Sequence, residues 1–182
     1  MSKKYEFTNE TTKIEDSLGN FYTLHRIKAL KDFGDVHKGD LGGWLEKESN
    51  LSQGEDCWVY DNAMVYNDAL VYGNAMVYGN ARVYGNAQVF GSAEVYGNAQ
   101  VYGNAQVHDI AWVCGNAQVY GNAQVFGSAE VYGNAQVFGY AWVYGSAEVY
   151  GNAQVYGHAK VHDNARVCNN SVVSDDTEIF GD

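Results

Sequence analysis

The sequence predicts a left-handed parallel β-helix of about seven triangular coils, preceded by a small N-terminal β cap. Three observations predict it. A six-residue phrase, V-Y-G-N-A-x, recurs from Val59 to Ile179 as 21 hexads with no insertion or deletion. Within each hexad, small and aliphatic residues alternate with polar and aromatic ones. The chain also holds 21 glycines and no proline, as suits a backbone that needs unusual torsions at fixed places and tolerates no lost amide donor.

The hexad explains itself element by element. Its strand reads A-x-V-Y, so Ala and Val point to one side and x and Tyr to the other. The G-N pair is a turn, since glycine and asparagine are the residues that accept left-handed torsions. The small position is alanine from Ala63 to Ala165, then Ser171 and Thr177. An aliphatic residue followed four positions later by a small one resembles the hexapeptide signature of left-handed β-helix proteins. Three strands and three corners close a coil of 18 residues. Coils stacked at about 4.8 Å would give a rod roughly 33 Å long. The segment YGNAQVFGSAEVYGNAQV begins at Tyr84 and again at Tyr120, two whole coils apart, as duplication of a triangular solenoid would leave it. A period of six does not trace a helical stripe. A right-handed solenoid is the competing form, and the strict hexad speaks against it.

Dealt onto three faces, the outward residues form aromatic columns. The first face also carries Glu94, Trp112, Glu130 and Glu148. The second carries Tyr102, Tyr120, Phe138 and Tyr156 beside a glutamine column. The third carries Trp142 and two histidines, His108 and His162. Aromatic residues on neighbouring strands stack and shield the backbone. An outward aromatic surface of this length is also larger than most monomers expose, and Tyr and Trp are enriched at interfaces. These nine aromatic and acidic residues are therefore the candidate interaction residues, with the uniform second face as the candidate for self-association into a dimer or trimer.

Residues 1–58 do not repeat and form the cap and lead-in; residues 59–182 form the β-helix. YEFTNETTKI and FYTLHRIKAL read as strands around the turn SLGN. Such a hairpin would protect the open edge of the first coil. The glycines of GDLGGW read as turn formers, because no phosphate-loop lysine follows them. Asp175, Asp176, Glu178 and Asp182 place charge at the last coil. The run ALKDFGDVHKGDLGGW, together with WVYDNA at Trp58–Ala63, resembles the uncharacterised YdcK-like hexapeptide proteins of bacteria and their prophages. The resemblance covers nearly the whole chain and implies the fold more than an activity.

Bulk properties exclude several classes. The net charge is −11, and only three of the eleven basic residues lie after residue 58, so nucleic acid is not an expected partner. Residues 59–182 hold eleven acidic and three basic residues. Duplex DNA of the same length carries about 20 charges at one per 1.7 Å, which argues against DNA mimicry. No apolar run is long enough to span a membrane, and MSKKYEFTNE has no signal-like apolar segment. Cytoplasmic location is the expectation. It fits three cysteines, Cys57, Cys114 and Cys168, without metal-type spacing.

Resemblance to hexapeptide acyltransferases implies a trimer, an acyl-coenzyme A donor and a catalytic histidine, for which His108 and His162 are the candidates. They occur in VHDIAWVC and VHDNARVC, three coils or about 14 Å apart on one face. Such enzymes interrupt the coils with an active-site loop, and residues 59–182 contain none. Resemblance to γ-class carbonic anhydrases would imply zinc, but His158 and His162 are four residues apart instead of five, so no metal is expected. The sequence thus favours a non-catalytic scaffold or protein-interaction module without cofactor. An acyltransferase using acyl-coenzyme A is the alternative, and a phage-encoded inhibitor of a host protein is the second.

Overall fold

In the computed structural model, which describes residues 3–16 and 18–182, the hexads wind into a triangular parallel β-solenoid with three sheets. Most hexad strands are only two residues long, the x and Val positions; Lys160–Asp163 and Glu178–Gly181 have four. Residues 18 apart are neighbours: Gln100 pairs with Gln118, and Gln118 with Gln136. Backbone bonds tie each coil to the next. Gln100 N–H donates to Ala117 O (2.9 Å), Tyr102 N–H to Val119 O (3.0 Å) and Asn104 N–H to Gly121 O (2.7 Å). The same three bonds recur along the rod, so strand and corner amides alike find partners.

The interior is a stack of Ala and Val. Every alanine from Ala63 to Ala159 is sealed from solvent, as are the valines between them. A triangular coil has room for one small and one branched side chain per side, and this alternation fills it.

The corners need glycine for two reasons. From Gly73 to Gly157 the corner glycines have φ of 69–72°. A Cβ on Gly133 would also lie 3.0 Å from the backbone N of Gly151, one coil on. Asp61, Asn67 and Asp109 take the glycine place with φ of 52–60°. Each accepts an N–H from the next coil: Gly79 to Asp61 Oδ2 (3.0 Å), Gly85 to Asn67 Oδ1 (3.3 Å) and Gly127 to Asp109 Oδ2 (3.0 Å). The asparagine after the glycine does different work. Asn80, Asn98, Asn116, Asn134, Asn152 and Asn170 form an amide ladder with bonds of 3.0–3.3 Å.

The N-terminal region extends the solenoid. Strand β1 (Tyr5–Glu15) pairs antiparallel with β2 (Phe21–Ala29), with a register shift between Phe7 and Thr11. Ser17, in the expected turn, lies outside the described residues, as do Met1 and Ser2. Strand β3 (Leu41–Leu45) pairs antiparallel with β2 on one side and parallel with Met64–Val65 on the other. Leu51 then bridges to Val71. A lead-in coil therefore stacks on the first hexad coil, giving about eight turns in all. Gly42 and Gly43 are not turn formers, contrary to the sequence reading. They sit within β3, where a Cβ would lie 2.6 Å from Val59 O or 2.5 Å from Ala63 O, so they permit close packing of the lead-in.

The cap is sealed by polar bonds. The buried ammonium of Lys4 donates to the carbonyls of Gly54, Glu55 and Cys57 (2.8–3.2 Å) and to Cys57 Sγ (3.3 Å). Tyr5 OH donates to Glu48 O (2.8 Å). Trp58, nominally outward on the first face, is only 1 % exposed, because Tyr5 and Phe33 pack edge-on against it.

The sealed interior sets a test. Ala123→Leu overpacks a coil and should lower stability by about 1–3 kcal/mol. Gln124→Glu, next in the chain but outward, should change it by no more than about 0.5 kcal/mol. Denaturant unfolding of both variants measures this, and equal losses would contradict the assigned orientation.

Candidate functional site

The outward residues form columns parallel to the rod axis. On the second face, Tyr66, Tyr84, Tyr102, Tyr120, Phe138 and Tyr156 stack at 4.8–5.0 Å between ring centroids. Tyr22 of β2 continues the column, tilted at 42°. On the third face the column runs from Tyr72 through Phe90, His108, Phe126 and Tyr144 to His162 at 4.7–5.1 Å. On the first face Cys114 and Cys168 interrupt it, leaving the pairs Tyr78–Tyr96 and Tyr132–Tyr150.

Tyrosine hydroxyls cross-link neighbouring columns. Tyr84 and Tyr102 donate to the glutamine of the next coil, Gln100 (3.2 Å) and Gln118 (3.3 Å). Tyr78 and Tyr132 donate to Glu94 (2.7 Å) and Glu148 (3.0 Å). The candidate interaction residues fall on consecutive coils. Glu94, Trp112, Glu130 and Glu148 are in-register neighbours on the first face, and Glu148 also pairs with Arg166 (2.9 Å). Trp112 is 42 % exposed, with Ile110 exposed at the preceding corner.

His108 and His162 do not meet. Phe126 and Tyr144 stand between them in the column. Each has its own acidic partner. His108 Nδ1 lies 3.2 Å from Asp109, and this contact, with the Gly127 N–H, holds the Asp109 carboxyl below its usual range. His162 lies between Asp163 at Nδ1 (2.9 Å) and Glu178 at Nε2 (3.1 Å).

The structure adds a cleft of about 410 Å3 on the third face, lined by Tyr140, Trp142, His158, Lys160, Asp176 and Glu178. Of these, sequence reasoning named only Trp142 as a site residue. Trp142, Lys160 and Glu178 are consecutive in-register residues of the face. Tyr140 and His158 occupy the corner beside them, stacked at 5.1 Å. Tyr140 is 57 % and Trp142 40 % exposed. Trp142 turns its edge to Phe126, and Lys160 Nζ lies 5.7 Å above its ring. The signal for the cleft was in the sequence: Tyr140 and His158 replace the corner asparagine on two successive coils.

Burial raises the hydroxyls of Tyr66, Tyr84 and Tyr102 to about 12, against about 10 for free tyrosine. The fold thus retains these protons after the unfolded chain would lose them. Their contribution to stability should be complete below about pH 10 and lost as pH rises toward 12. Tyrosinate absorbance and circular dichroism recorded together check this. Ionisation of all tyrosines near pH 10 with no loss of structure would contradict the shielded column.

Comparison with known proteins agrees with this architecture. The YdcK β-solenoid repeat matches residues 59–73, 69–83, 77–91, 93–109 and 117–131. A protein of Escherichia coli K12 named "Uncharacterized acetyltransferase YdcK" is 37 % identical over 62 residues, which cover 32 % of this chain and 19 % of that protein. The match thus spans about a fifth of that relative's length. On this geometry the chain is a hexapeptide-repeat β-solenoid protein, and its coils from residue 59 to 131 are similar to the YdcK β-solenoid repeat.

Proposed function

We propose that this protein is a non-catalytic rod that presents fixed side-chain columns to protein partners in the cytoplasm, and that it self-associates through its second face. One observation carries the reading. From Gln100 to Tyr156 that face is flat, in register and uncharged, on a chain of net charge −11. The other faces carry Glu94, Glu130 and Glu148, or Lys160 and Glu178. Two copies of an acidic rod repel one another, so the face without charge is where they approach at least cost. Stacked tyrosines supply rigid apolar area, and the glutamines beside them pair across such an interface.

A second reading, acyl transfer, is favoured by the pair His108–Asp109 and by the acetyltransferase name of the E. coli relative. The Asp109 carboxylate, held by Gly127 N–H, would fix the imidazole by Nδ1 and leave Nε2 as general base toward an acceptor hydroxyl or amine. Acetyl-coenzyme A would be the donor. This reading predicts coenzyme A binding by calorimetry and loss of turnover in His108→Ala. No heat at millimolar coenzyme A would remove it.

Light scattering on a sizing column tests the self-association. The protein should elute as a dimer or trimer. Gln118→Glu/Gln136→Glu, which adds two charges to the second face, should elute as a monomer that keeps the circular dichroism spectrum of the folded protein. A wild-type monomer in concentrated solution, or a variant that still assembles, would overturn the proposal.

A further inference from the structure

The cleft at Tyr140 and Trp142 is separate from the uncharged face and from His108. We infer that it is a binding groove for a short, uncharged oligosaccharide. Two columns of side chains border it lengthwise. Tyr140, His158 and Asp176 stand along the corner, and Trp142, Lys160 and Glu178 along the third face. Each pair lies one coil beyond the last, so the groove advances about 4.8 Å per coil, close to the length of one sugar unit in an extended chain. Three coils thus offer three successive positions.

The lining suits sugars and disfavours other ligands. Tyr140 and Trp142 keep apolar ring surface in water, and a pyranose ring has an apolar C–H face that packs on aromatic rings. Its hydroxyls both donate and accept. Lys160 is a donor, Asp176 and Glu178 are acceptors, and the His158 ring carries one nitrogen of each kind when neutral. A purely apolar ligand would strip water from these groups without replacing its bonds. A phosphate or carboxylate would face two carboxylates against one lysine, and that ammonium already lies over the Trp142 ring.

The corner itself points to a ligand rather than to stability. On the coils before it, the same corner carries the amide ladder Asn86–Asn104–Asn122, with bonds of 3.0 and 3.1 Å. At Tyr140 that ladder gives way to a ring that is more than half exposed, beside an exposed Trp142. A stack made only to hold coils together would keep its rings at least half-buried, as the second-face column does.

Linear trisaccharides of glucose and of N-acetylglucosamine are the probes, with titration followed by tryptophan fluorescence and by calorimetry. At least one should bind and quench or shift the emission. Trp142→Ala and Tyr140→Ala should each weaken it by about ten-fold, while Ile110→Ala, exposed at a corner outside the cleft, should bind as well as wild type. Circular dichroism melting confirms that the variants fold. Absence of binding by every trisaccharide would overturn the inference, as would binding that survives both aromatic replacements. Binding of inorganic phosphate or tetramethylammonium at this cleft with no trisaccharide bound would also overturn it. None of these outcomes depends on whether the rod self-associates.

Discussion

Each coil is bonded to the next through backbone amides that recur at the same three places along most of the rod, and the remaining features keep those bonds aligned. A coil can lie one strand spacing from its neighbour only if nothing at the corner stands between them. Glycine removes the Cβ that would meet the next corner, as at Gly133 and Gly151. Alanine and valine fill the interior without pushing the sides apart. The same spacing places aromatic rings 4.7–5.1 Å apart on the outside, so the columns follow from the backbone rather than cause it. Stacking and the tyrosine hydroxyl bonds then add stability to a geometry already set.

A rod built this way has little freedom to open. Its side chains hold fixed positions on a repeating lattice, and recognition relies on what successive coils place side by side. The three faces differ accordingly. One is acidic with an exposed Trp112, one is neutral and flat from Gln100 to Tyr156, and one holds the paired His108–Asp109 and the cleft. The distribution of charge among faces decides which surface two acidic copies can share. The departures from the hexad decide where a ligand finds a groove.

How legible each part was in the sequence follows from how closely it keeps the hexad. The inward Ala and Val, the three faces and the strand register were readable because one phrase repeats without a break. The lead-in was not. Leu45 and Leu51 keep the six-residue spacing, but they pair with Val65 and Val71, 20 residues on instead of 18. Two extra residues before Cys57 shift the phase and hide the coil. Gly42 and Gly43 looked like turn residues because close approach of β3 to Val59 and Ala63 is a tertiary contact with no local signature. The columns could be predicted, yet the role of Trp58 could not, since Tyr5 and Phe33 reach it from outside the repeat. The cleft was half legible. Trp142 stood out, while Tyr140 and His158 gained meaning only when the corner was seen beside it.

The 18-residue coil underlies every one of these readings, and proximity of corner side chains tests it most directly. With Cys114 and Cys168 replaced by serine and Cys57 buried, pyrene would be attached at Asn116→Cys/Asn134→Cys and, separately, at Asn116→Cys/Asn122→Cys. Asn116 donates a side-chain hydrogen bond to Asn134 Oδ1 at 3.0 Å, whereas Asn122 lies at the next corner of the same triangle. The 18-residue pair should show excimer emission that persists on dilution with unlabelled protein, and the six-residue pair should show monomer emission alone. Excimer from the six-residue pair, or none from the 18-residue pair, would contradict the stacked triangular coil.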